Sequence, residues 1–181
     1  MDGSEDRFTE LYERHHGDVW RYVARRVESD VGDVVAEVFL VAWRRLREVP
    51  ADPALPWLYG VARLVLANEA RGRRRWRELT LRVAAEPAQS VIADHADEVI
   101  SQRDVAAAFD QVPDTDREVL RLVAWERLTA AEAAVVLGCS RATFAMRLMR
   151  ARRRLRSQLT VAGVEVGRTP RTAPSMSNWG G

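Results

Sequence analysis

Seven arginines and no acid fall between residues 138 and 156, in the stretch GCSRATFAMRLMRARRRLR. Guanidinium groups at this density suit one kind of chemistry: they neutralise phosphate oxygens and hydrogen-bond to base edges. Side chains suited to other chemistry are few. His15 and His16 are adjacent, so on a helix they face different ways and cannot chelate a metal as an i, i+4 pair can. His95 stands apart, and Ser140 has no histidine in a motif around it. Cys139 is the sole cysteine, so there is no internal disulfide and no Cys/His zinc spacing. The expectation is a protein that is not an enzyme and needs no metal or cofactor.

The whole chain carries a net charge of only +2 over 181 residues, so the distribution of charge is the informative quantity. Arg71, Arg73, Arg74, Arg75 and Arg77 form a second basic block, and residues 78–118 between the two blocks hold ten acids against three arginines. Two cationic segments joined by an acidic one suggest polyanion contacts at two places. All 28 basic residues are Arg, a bias that a GC-rich bacterial genome explains without reference to function. The acidic start MDGSEDRF is not a signal peptide. No uncharged run exceeds ten residues, against the roughly 20 a membrane span needs. A cytoplasmic protein with no membrane contact is expected.

The elements that must position these arginines are helical. Phe8, Leu11, Tyr12, His15, Val19, Tyr22, Val23 and Val27 recur at three- and four-residue steps, and Val31, Val34, Val35, Val38, Phe39, Ala42 and Leu46 keep the rhythm. VPADPALP puts three prolines in eight residues and must be a loop. A third helix begins near Trp57 and carries the first basic block. Residues 78–104 are acidic and weakly periodic, which predicts a flexible linker, and a second helical unit spans 105–159. The Gly-, Ser-, Thr- and Pro-rich residues 160–181 predict a disordered tail. The fold class is therefore all-α: two small helical domains, residues 1–77 and 105–159, joined by a flexible linker.

LTAAEAAVVLGCSRATFAMRL has the anatomy of a helix-turn-helix. Thr129 and Glu132 have capping-box spacing, Gly138 suits a left-handed helix end, and Ser140 can cap the next helix. On that helix Phe144, Leu148, Ala151, Leu155 and Leu159 form the apolar stripe. Ala142, Met146, Met149, Arg150 and Arg153 point largely away from it, with Arg147 and Arg154 on a flank. An acid-free face on the second helix is what entry into the major groove requires.

Three segments in order, GDVVAEVFLVAWRRL, PWLYGVARLVLANEARGRRR and VPDTDREVLRLVAWERLTAAEAAVVLGCS followed by RLMRARRRLR, resemble the bacterial RNA polymerase sigma factors of the small extracytoplasmic-function (ECF) type. These keep only the second and fourth sigma domains. The resemblance implies that residues 1–77 dock on the coiled coil of the largest subunit of core RNA polymerase, through Asp33, Glu37 and Phe39. It implies that Arg63, Asn68, Arg71, Arg73, Arg74 and Arg75 recognise and melt the downstream promoter element, while the loop 49–56 captures a flipped base. It implies further that residues 105–159 bind the upstream element, through Arg141, Thr143, Met146, Arg147, Met149, Arg150, Arg152, Arg153 and Arg154.

The implied partners are core polymerase (coiled coil and flap), promoter DNA as duplex and as melted single strand, and an anti-sigma factor as a further class. The acidic linker is expected to thread the polymerase clefts. Leu64 stands where many members carry Asn. Ala145 and Met146 replace basic and small polar residues, which favours apolar contacts such as thymine methyls. Two alternatives stay open: a stand-alone helix-turn-helix regulator, and a degenerate sigma-like protein that binds polymerase without initiating.

Overall fold

A computed structural model describes residues 3–81 and 102–163. Among the described residues seven α-helices appear in chain order: α1 (Gly3–Ala24), α2 (Val31–Arg44), α3 (Leu55–Leu81), α4 (Gln102–Asp110), α5 (Asp114–Ala124), α6 (Ala130–Leu137) and α7 (Arg141–Val161). A single 3-10 turn, Leu46–Glu48, follows α2. No strand occurs among the described residues. The linker reading falls mainly on residues 82–101 and the tail reading on 164–181, both outside the described residues. Helix α3 continues to Leu81, α4 already begins at Gln102, and α7 runs to Val161.

Helices α1 to α3 form the first unit. The periodic positions Val19, Tyr22 and Val23 of α1 meet Val34, Val35, Val38, Phe39 and Ala42 of α2, and all are buried. Leu58 and Ala62 of α3 close the layer, each fully buried. Helices α4 to α7 form the second unit around Val112, Val119, Leu122, Val136, Phe144 and Ala151. Each fully buried aliphatic or aromatic side chain contributes about 1.5–3 kcal/mol of hydrophobic stabilisation.

The two units pack on each other through α3 and α6. Gly60 lies at this crossing, where a Cβ would sit in ordinary contact 3.7 Å from the Val136 carbonyl oxygen. Beside the helix crossing lies a buried charged cluster. Arg26, just past the end of α1, stacks its guanidinium on the Tyr22 ring at 3.5 Å from the centroid. It donates to Glu118 Oε2 (3.0 Å) and Oε1 (3.1 Å), to Glu126 Oε1 (3.0 Å), and to the Tyr22 carbonyl (2.7 Å). The Tyr22 hydroxyl donates to Glu118 Oε1 at 2.8 Å, and Tyr59 stacks on the far side of Tyr22 with centroids 4.5 Å apart.

Burial works against the Arg26 charge, but Tyr22, Glu118 and Glu126 together hold its pKa above the usual arginine value. Burial first, then Glu118, pushes the Tyr22 hydroxyl well above the ordinary tyrosine range. Arg26 therefore stays charged and Tyr22 neutral across physiological pH. Removing one partner from a buried ion pair of this kind costs about 3–5 kcal/mol, because the other charge is left without compensation.

Candidate nucleic-acid interface

Local chemistry builds the helix-turn-helix as its sequence dictates. The Thr129 hydroxyl accepts from the Glu132 backbone N–H at 3.3 Å, while Glu132 Oε2 accepts from the Thr129 N–H at 2.8 Å. That reciprocal box starts α6. The hydroxyl and backbone of Thr129 hold the Glu132 carboxyl below its usual pKa. Gly138 ends α6 at φ 59, in the left-handed region that a Cβ disfavours. Ser140 caps α7 by accepting from the Thr143 N–H at 3.1 Å. Phe144, fully buried, fixes the rotation of α7 about its axis.

That rotation divides the α7 surface into two stripes. The outer stripe is Ala142, Met146, Met149 and Arg153, all exposed; Met146 and Met149 are more than 60% exposed (64% and 63%). The second stripe is Arg147, Arg150 and Arg154, turned toward α5. Arg154 Nη1 donates to Asp116 Oδ2, and Arg150 Nε lies 3.8 Å from Asp116 Oδ1. Asp116 is 1% exposed. The expected base-reading and phosphate-binding arginines are thus brought to one helix. One of them, Arg154, also has an internal partner, with nearly half of its side chain (48%) still exposed. Arg141, Thr143, Arg152 and Arg153 are exposed.

On α3 the expected downstream residues separate by position. Asn68, Arg71, Arg73 and Arg75 are exposed toward the C-terminal half of the helix. Arg71 donates to the Asn68 side chain, and Arg73 to Glu69 at 3.3 Å. Arg74 lies on the same helix, its side chain outside those described. Arg63 is instead drawn into the contact between the units, where its Nε donates to the Val136 carbonyl at 3.1 Å. Leu64 is 53% exposed. Trp57 is half-buried, with the Arg45 guanidinium 5.7 Å from its ring centroid.

Asp33 and Glu37 are both exposed, one turn apart on α2. Phe39, expected with them at a docking surface, is 3% exposed and packs edge-on against Phe8 and Tyr12 at 6.4 and 4.7 Å. It shapes the face from beneath and does not present its ring. Sequence periodicity missed a row of large apolar side chains on the α1–α2 surface: Tyr12, Trp20, Leu40 and Trp43 are each about 40% exposed. Trp20 and Leu40 fall outside the three- and four-residue apolar rhythm, and that misfit was the available signal.

Among the described residues no group of three or more His, Cys, Asp or Glu side chains could hold a metal ion. No described helix is long and apolar enough to cross a membrane.

Residues 11–76 match the family model Sigma-70 region 2, and residues 102–155 match Sigma-70, region 4. The ECF RNA polymerase sigma factor SigL of Mycobacterium tuberculosis is 32% identical over 161 residues, covering 85% of this chain and 89% of that protein. The chain belongs to the ECF RNA polymerase sigma factors. The probable RNA polymerase sigma factor RfaY of Xanthomonas campestris is 31% identical over 147 residues, 76% of this chain but only 36% of that longer protein. Among solved structures, CnrH in complex with the cytosolic domain of CnrY is 29% identical. It matches with a TM-score of 0.57 over 85% of this chain and 88% of that one. The structural units of this sigma factor coincide with the two family regions: α1 to α3 with region 2, and α4 to α7 with region 4.

Proposed function

We propose that this sigma factor binds core RNA polymerase through the α1–α2 surface and directs initiation at promoters by reading an upstream element with α7 and melting a downstream one with α3. The observation that carries the reading is the pairing of two basic helices of different surface chemistry in one chain. Helix α7 offers an outer stripe led by Met146 and Met149, flanked by arginines, which suits a duplex groove rich in thymine methyls. Helix α3 offers exposed Asn68, Arg71, Arg73 and Arg75, which suit a single-strand backbone and unstacked bases.

Docking on polymerase would combine the apolar row of Tyr12, Trp20, Leu40 and Trp43 with the flanking charges of Asp33 and Glu37. Aromatic anchors within a charged rim are the usual composition of a protein interface. The solved complex of CnrH with the cytosolic domain of CnrY supports a second protein partner, and an anti-sigma protein is the class proposed. A sigma factor acts in initiation without itself catalysing a reaction, so no reaction is assigned to any residue. A stand-alone regulator would need only the second unit and leaves the exposed α3 arginines and the α1–α2 row without a role.

The test is promoter opening. Core polymerase is incubated with a promoter fragment with and without this protein, and unpaired thymines are mapped by permanganate. Reactivity confined to a short region downstream of the bound upstream element supports the proposal. Duplex binding with no unpaired thymines and no association with core polymerase refutes it.

A further inference from the structure

Leu64 is an exposed apolar side chain on α3, half open to solvent where Leu58, Val61 and Ala62 before it are buried. A single exposed leucine is ordinary on a protein surface. Its neighbours set this one apart. Leu64, Asn68, Arg71 and Arg75 recur at four-, three- and four-residue steps, so they share one stripe of the helix. All of them are exposed. Gly60, one turn before Leu64, has no side chain and Ala67, three residues after it, has only a methyl. The isobutyl group of Leu64 therefore stands above its surroundings.

The stripe has a direction, apolar at one end and cationic at the other. At 1.5 Å per residue, Arg71 lies about 10 Å and Arg75 about 16 Å beyond Leu64 along the helix axis. A stacked strand advances about 3.4 Å per nucleotide, which puts the two cations roughly three and five nucleotides from the base step that meets Leu64. Arg71 donates to the Asn68 side chain, which keeps its guanidinium on the stripe. An isobutyl group makes no hydrogen bond, so it cannot tell bases apart by their edges. It can replace stacking: apolar side chains such as Leu, Met and Phe enter between base steps and unstack them.

We propose that Leu64 is the wedge that starts strand separation: its side chain enters the base stack at the edge of the duplex, while Asn68, Arg71 and Arg75 hold the strand that is released. This rests on the assignment of α3 to the downstream element and adds which side chain begins the opening. Selectivity at the wedge follows how easily a step unstacks, so a TA step at the junction is favoured over a GC-rich one.

The experiment uses the full chain with core polymerase on a genomic fragment selected for opening by the wild-type protein and mapped by permanganate. The fragment is tested fully paired and with the opened segment made non-complementary. Leu64→Asn keeps the branched shape and removes the apolar character, Leu64→Ala removes the bulk, and Leu64→Met keeps an apolar side chain of similar volume. The Asn and Ala variants should open the paired fragment at least about tenfold more slowly, and the Met variant within about threefold of wild type, since unstacking one step is the barrier the wedge lowers. On the non-complementary fragment all three should bind and transcribe as the wild type does, which also shows that they fold and dock. A TA step placed at the junction should recover part of the rate lost in Leu64→Asn.

Equal opening of the paired fragment by every variant overturns the wedge. An equal loss on both fragments also overturns it, because Leu64 would then contact polymerase or a strand already released. If the wild-type protein opens no fragment, the assignment of α3 to the downstream element fails and the wedge with it.

Discussion

Arg154 and Asp116, 38 positions apart, form an ion pair in which the carboxylate is almost wholly buried and the guanidinium half-exposed. The pair ties the recognition helix α7 to α5, so the same arginine can orient the helix and offer its remaining N–H groups to a phosphate. Replacing Arg154 by Ala leaves the Asp116 carboxylate with only Arg150, at 3.8 Å. A loss of about 2–4 kcal/mol in urea unfolding is expected. The salt dependence of DNA binding should also flatten by about one unit of slope. Arg153→Ala should flatten the slope without the stability loss.

Arg150 lies on the same stripe but is more exposed, near enough to the start of α7 to enter a major groove. Arg150→Ala should cost about 1–3 kcal/mol at the preferred upstream element and relax base choice there. Selection from a promoter library by the intact protein at several salt concentrations checks this. A uniform loss across all sequences would make Arg150 a phosphate contact and leave base choice to Met146 and Met149.

Helix α6 depends on its capping box. Thr129→Ala and Glu132→Ala should each cost about 1 kcal/mol, and the double variant less than their sum, because each removal already breaks the shared geometry. Glu132 is held below its usual value of 4.5, so its contribution is complete above about that pH and fades as pH falls through the lowered value. His15 adds a second acid-side loss. Burial lowers its pKa below the usual 6.5, so the unfolded chain binds the proton first and stability falls as pH drops through that value. Urea midpoints across pH 3–8 should rise with pH in both windows, and His15→Gln should flatten the upper one.

The helix-turn-helix was legible because every signal for it is local. The box at Thr129 and Glu132, the left-handed Gly138 and the cap at Ser140 each act within four residues. The cluster around Arg26 was not, because its partners lie 92 and 100 positions away and no periodicity links them. Asp116 and Glu118 counted in sequence as part of an acidic segment, whereas the fold turns both toward arginines. Phe39 shows the same limit: its place in the apolar rhythm fixed it as buried, and only the family resemblance set it at a docking surface. Trp20 and Leu40 show the reverse, large apolar side chains outside the rhythm that the fold leaves exposed.

Reversing Asp33 and Glu37 to Arg should weaken binding to core polymerase at least tenfold, with no change in thermal stability, since both side chains are exposed on α2. Trp43→Ala, on the neighbouring apolar row, should weaken it further. Affinity measured by fluorescence anisotropy of the labelled protein checks both. Full affinity in the double reversal would move the interface off α2.

We propose that this sigma factor turns core polymerase into a promoter-selective enzyme. Run-off transcription on genomic fragments, by purified core polymerase with and without the protein, tests it most directly. Discrete transcripts that start at a small set of sites and appear only when the protein is present are the predicted result. Transcripts identical with and without it, despite bound upstream DNA, would contradict the claim.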